Sequence, residues 1–105
     1  MERKRILIVG VGGIGSRHLQ ALRAVTQPLE ITAVDVSDES LRVAKERYES
    51  ALQGTVSHTI EYRADIPKSV KVDIVIIATT SSMRAALARE LLEKYKIDGN
   101  PKFKV

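Results

Sequence analysis

The sequence predicts an α/β domain in which helices cover both faces of one doubly wound parallel sheet. Two observations carry this. Short, β-branched apolar runs ("RILIVG", "EITAVD", "VDIVIIATT") alternate along the chain with longer stretches of helical periodicity, and such alternation builds parallel sheets from β-α-β units. The runs at residues 5–10 and 72–80 show no polar–apolar alternation of their own, which is how strands covered on both faces read. Right-handed crossovers then give five strands in the order 3-2-1-4-5. With 105 residues, the chain makes one domain, 1–105, and not two.

Each element has its own reason. Residues 5–10 read as a central strand, and from Ile14 to Val25 the pattern turns helical. Ile14, His18, Ala21, Leu22 and Val25 fall along the side expected to face inward. "TQP" at 26–28 ends that helix, because proline cannot continue it. Residues 30–35 form a second strand closed by an acid. "VSDESLRVAKERYESAL" gives the second helix, capped by Ser37 or Asp38, with Asp38 and Glu39 favourably placed in its first turn. Its apolar side carries Leu41, Ala44, Tyr48 and Ala51 or Leu52, and Gly54 is a natural end. "SHTIEYRA" alternates, as expected at a sheet edge. "DIPKSV" is a turn or a short helical piece. Residues 72–80 form the most apolar strand. The helix over 81–95 is capped by Ser81 or Ser82, and "GNPKFKV" holds a turn and a last strand.

Composition narrows the function. No cysteine is present, and two histidines, His18 and His58, are too few for a zinc site. Aromatic residues are 4 % and tryptophan is absent, which leaves no stacking platform for single-stranded nucleic acid. The net charge of +4 comes from scattered residues, with clusters only at Arg3-Lys4-Arg5 and at Lys94, Lys96, Lys102 and Lys104. These read as solvated flanks rather than a nucleic-acid patch. The basic opening before an apolar run mimics a signal peptide, but the run breaks at glycines and no cleavage site follows. No segment has the length of a membrane span. The expectation is a cytoplasmic protein with no membrane or nucleic-acid partner.

The chemistry concentrates in "GVGGIG". Gly10, Gly12 and Gly15 have the spacing G-x-G-x-x-G between a strand and a helix. In a dinucleotide site, Gly10 permits the tight turn, Gly12 lets a pyrophosphate approach the backbone, and Gly15 lets the helix pack closely on the strand. The helix start then aims unpaired N–H groups at the phosphates, those of Gly13 and Ile14 foremost. Asp35 closes the next strand about 20 residues past Gly15, where an acid accepts from the adenosine ribose hydroxyls. Its alternative role is a turn or helix-capping aspartate. The carboxylate repels a 2′-phosphate, so NAD is expected over NADP, although Ser37 and Arg42 lie near enough in sequence to assist one. An S-adenosylmethionine site shares the strand–glycine–acid plan but does not need the third glycine here.

Taken together, "GVGGIGSRHLQAL", Asp35 and "VDIVIIATTSSMRAALARELLE" resemble the nucleotide-binding Rossmann domain of the Gfo/Idh/MocA oxidoreductases. That family's opening often reads G-x-G-x-x-G-x-x-H, matched by His18. Its fourth strand typically ends Ala-Thr-Pro-Asn-His, of which Ala78 and Thr79 match, while Thr80, Ser81 and Ser82 depart. The resemblance implies that Ala78, Thr79 and Thr80 lie beside the nicotinamide half of the cofactor; the bland alternative is a turn and cap. For His18, which falls on the stripe expected to face inward, a hydrogen-bonded packing role is preferred to a chemical one. The family also carries a Glu-Lys-Pro motif after its fifth strand and a C-terminal substrate domain. This chain stops about where that motif would begin, and neither is in it.

The resemblance therefore implies the cofactor domain of an oxidoreductase acting on a sugar, polyol or related substrate. By itself, the chain is expected to bind the nucleotide without turnover. The substrate domain or self-association would cover its remaining faces. The contrasting expectation is a non-enzymatic regulator that senses NAD(H) and passes its state to a partner.

Overall fold

The structure, a computed structural model, describes residues 3–51, 57–66, 72–79, 90 and 102–104. The elements are β1 (Lys4–Val9), α1 (Gly13–Leu22), β2 (Leu29–Val34), α2 (Asp38–Ser50), β3 (Thr59–Arg63), β4 (Ile74–Ile77) and β5 (Lys102–Lys104). The strands form one sheet in the order β3-β2-β1-β4-β5, with every neighbouring pair parallel. This is the expected doubly wound order. It changes direction between β1 and β4, which opens a crevice beyond the carboxyl ends of the strands. The helix expected over 81–95, Glu90 apart, and the 67–70 stretch lie outside the described residues; α2 ends at Ser50, with Ala51 an extended C-cap, ahead of the expected stop at Gly54.

The unbroken apolar runs are buried on both faces. On one face, Ile6, Ile8, Ile31 and Ala33 pack with Val11, Leu19, Ala44 and Tyr48 beneath α1 and α2. On the other, Leu7, Val9, Val34, Val75 and Ile77 form a second cluster. Alternating side chains of β1 thus serve both cores. At the amino end of the sheet, the Arg5 amide donates to Asp73 Oδ2 at 2.8 Å, and the Asp73 amide donates to the Arg5 carbonyl at 2.8 Å. This reciprocal pair stops β4 at Ile74, short of the expected start at residue 72.

α2 follows its sequence pattern. Ser37 is the cap, its hydroxyl accepting from the Ser40 amide at 3.1 Å, and Ala44 and Tyr48 are buried. α1 departs from expectation. Its buried residues are Gly15, Ser16 and Leu19, while His18 and Ala21 are exposed and Ile14 is 72 % exposed. The predicted inward stripe is therefore wrong at Ile14, His18 and Ala21, whereas Leu22 and Val25 pack against the core as expected. The cause is Gly15: a Cβ there would stand 1.7 Å from the Gly10 carbonyl oxygen. Main chain against main chain at that point fixes the inward meridian of α1, and Ile14, one residue away, turns about 100° from it. His18 accordingly has no packing role. The helix also ends at Leu22, not Val25, because Arg23, Ala24 and Val25 donate to carbonyls three residues back, a tightened last turn.

Tyr62 on the edge strand β3 gives a stability prediction. Its hydroxyl is buried and has no hydrogen-bond partner among the described residues. Burial, and then the Glu49 carboxylate, push its phenol up to about 12. The neutral form is favoured in the folded state, so this contribution is complete below the unfolded value of about 10. It is lost as pH rises from there through about 12. Tyr62→Phe is expected to be neutral or stabilising by up to about 1 kcal/mol at pH 7, since it deletes an unpaired polar group. It should also flatten the alkaline decline of the melting temperature, followed by circular dichroism from pH 7 to 12.

Candidate dinucleotide site

Backbone hydrogen bonds continue the sheet past the strand ends and line up the predicted residues. The Gly10 amide donates to the Val34 carbonyl at 2.8 Å, the Ala78 amide to Val9 at 2.9 Å, and the Asp35 amide to Arg63 at 3.1 Å. Gly10, Asp35 and Ala78 thus stand in one row at the carboxyl edge of the sheet. Thr79 follows Ala78; Thr80 lies outside the described residues.

The glycines divide into two kinds. Gly10 has φ +90°, a left-handed conformation that favours glycine. A Cβ on it would lie 2.8 Å from Thr79 Cγ2 and 3.0 Å from the Ala78 carbonyl carbon. Gly10 and Gly15 are thus demanded by the turn and by helix–strand packing. Gly12 and Gly13 are not: a Cβ on either meets nothing within 4 Å. The absence of side chains there leaves the main chain open to solvent. Gly12 caps α1 without a side-chain hydrogen bond. Ser16 is the first residue whose amide bonds back, to the Gly12 carbonyl at 2.9 Å. The amides of Gly13, Ile14 and Gly15 begin the helix with no acceptor among the described residues, and the positive end of the helix dipole lies with them.

Asp35 faces this mouth. Oδ2 accepts from the Val11 amide at 3.0 Å, and Oδ1 accepts from the Ser37 amide at 2.9 Å. The carboxylate ties the glycine turn to the start of α2, so the turn-aspartate role is part of its work. A carboxylate has about four lone-pair sites, and two bonds leave room for two hydroxyls on its half-exposed side. The residues that could assist a 2′-phosphate are engaged elsewhere. The Ser37 hydroxyl caps α2. Arg42 donates to Glu39 at 3.1 Å and to Glu46 at 2.7 Å, and hydrogen bonding to Arg42 holds the Glu39 carboxyl below its ordinary range.

Two exposed apolar residues flank the site. Ile14 is 72 % and Val36 90 % exposed, and they are the only large hydrophobic residues so exposed among those described. One begins α1, and the other follows Asp35. Neither was singled out by the sequence as an exposed contact; the position of Val36 directly after the strand-end acid was the available signal.

A row of parallel strand ends, a helix mouth with free amides and an acid on the neighbouring strand define a Rossmann-type nucleotide-binding domain. The family model described as an oxidoreductase family with NAD-binding Rossmann fold, Gfo/Idh/MocA, matches residues 4–98. The chain belongs to that family. No curated protein matches the chain, and no solved structure does. No described helix is long and apolar enough to cross a membrane.

Proposed function

We propose that the domain binds NAD with its diphosphate on the amides of Gly13 and Ile14, beside Gly12, and its adenosine ribose on Asp35. The adenine then lies over Val36. The nicotinamide extends past Ile14 toward Ala78, Thr79 and Thr80, on the β4 side of the crevice. The observation that carries this reading is the open space over Gly12 and Gly13 beside amides that have no acceptor among the described residues. Sterically, the fold requires Gly10 and Gly15 without a ligand; it does not require Gly12, which leaves open space above the N-cap of α1. The engagement of Arg42 and Ser37, with the negative charge of Asp35, favours NAD over NADP.

In this reading the domain is the cofactor-holding part of an oxidoreductase whose substrate is a sugar, a polyol or a related compound. The cofactor supplies hydride chemistry, and the protein orients it. The domain holds the dinucleotide for that chemistry in the cytoplasm.

Asp35→Asn tests the ribose contact. It keeps a carbonyl acceptor for one of the two amides but removes the charge. Charge-assisted hydrogen bonds contribute about 1.5–3 kcal/mol. NAD should therefore bind on the order of 10–100-fold more weakly, while NADP changes little, so that the preference collapses. Calorimetric titration with NAD, NADH, NADP and NADPH reads this. An unchanged preference, with the fold intact by thermal melting, would remove Asp35 from the site.

A further inference from the structure

Ser16 is the one buried polar residue among those described, at 0 % exposure. Its hydroxyl has two partners: it lies 2.9 Å from the Gly13 carbonyl oxygen, and Arg47 Nη1 lies 2.6 Å away. The direction of this chain is fixed chemically. A guanidinium only donates and a carbonyl only accepts, so Arg47 donates to Ser16 and Ser16 donates to Gly13. The Gly13 carbonyl and the Ile14 N–H are the two ends of one peptide unit. Drawing electron density toward that oxygen leaves the Ile14 N–H more positive, since linked hydrogen bonds polarise one another, most of all away from water. Arg47, half-buried in the last turn of α2, has no ion pair with a carboxylate among the described residues. Its charge thus stands behind the helix mouth, bonded to the neutral Ser16 hydroxyl.

We propose that Arg47 is a positioning residue that acts through Ser16 and the Gly13–Ile14 peptide to strengthen the Ile14 amide as a donor to the dinucleotide's diphosphate. It does this without touching the ligand. The inference rests on the placement of the diphosphate at these amides. Polarisation by about 10–30 % per bond, together with a partly buried cation near a diphosphate, corresponds to roughly threefold to tenfold in affinity.

The test compares the wild-type chain with Arg47→Met, Ser16→Ala and the double variant, titrated with NAD and, separately, with adenosine, which has no phosphate. Each single variant should weaken NAD binding by about threefold to tenfold. The double variant should be no worse than the poorer single, because both break one chain. Adenosine binding should not change, and the Ile14 amide proton of the free protein should move upfield in both variants. NAD affinity within twofold of wild type in the variants overturns the relay, as does an equal loss for NAD and adenosine, which a merely structural role would produce. Ser16→Ala changes no residue of α2 and carries the same prediction should Arg47→Met fail to fold. A wild-type chain that does not bind NAD removes the proposed site and the relay together, whereas NAD binding unaffected by the substitutions removes the relay alone.

Discussion

Gly15→Ala is expected to abolish or severely weaken folding of the domain. The added Cβ would stand 1.7 Å from the Gly10 carbonyl oxygen and 2.7 Å from the Gly10 carbonyl carbon. Both atoms are main chain, so no flexible side chain can swing away. Relief requires lifting α1 from β1, which would loosen Leu19 from the cluster it shares with Ile6, Ile8 and Val11. Overpacked cores usually lose about 1–3 kcal/mol, occasionally more, and a backbone-to-backbone clash belongs at the upper end, on the order of 3–5 kcal/mol. Against the roughly 5–15 kcal/mol that holds a typical domain folded, that is a large share. Urea unfolding followed by far-ultraviolet circular dichroism measures it. A midpoint close to wild type would mean that α1 does not sit against β1 as described.

Gly12→Ala should do the opposite: leave the fold and remove the ligand. Its Cβ meets no protein atom within 4 Å, and alanine in place of glycine at a helix N-cap costs only about 1 kcal/mol, too little to unfold a typical domain. The methyl group projects into the space a diphosphate must enter. Displacing even one charge-assisted hydrogen bond costs about 2 kcal/mol, so NAD should bind at least about 30-fold more weakly. Melting temperature and calorimetric titration on the same sample separate the two effects. The contrast between the variants is sharper than either alone, because two glycines of one motif would fail for unrelated reasons. If Gly12→Ala binds NAD as wild type does, the diphosphate lies elsewhere.

Much of this was legible in the sequence, for identifiable reasons. The strand order follows from alternation and crossover handedness. The functions of Gly10 and Gly15 follow from spacing, because a turn and a close packing leave no alternative to glycine. Ser37 as the cap of α2 is a local hydrogen bond, and local bonds are readable. The face of α1 was not. Ile14, His18 and Ala21 have a convincing apolar periodicity, but the contact of Gly15 with Gly10 decides the rotation of the helix, and a glycine adds nothing to a hydrophobic pattern. His18 consequently lies exposed. The place of Asp35 at the end of the second strand is legible from spacing, but its bonds to the Val11 and Ser37 amides depend on how three segments meet. Arg47 and Ser16, 31 residues apart, become neighbours only when α2 packs against α1.

The most direct measurement of the central claim is a titration of the isotopically labelled wild-type chain with NAD, following its backbone amide resonances. Those of Gly13 and Ile14 should shift downfield, furthest of all the amides, and saturate together with the shifts near Asp35 and Val36. Resonances of residues 12–15 that stay in place while NAD saturates a site elsewhere, or that stay in place because NAD does not bind, would contradict it.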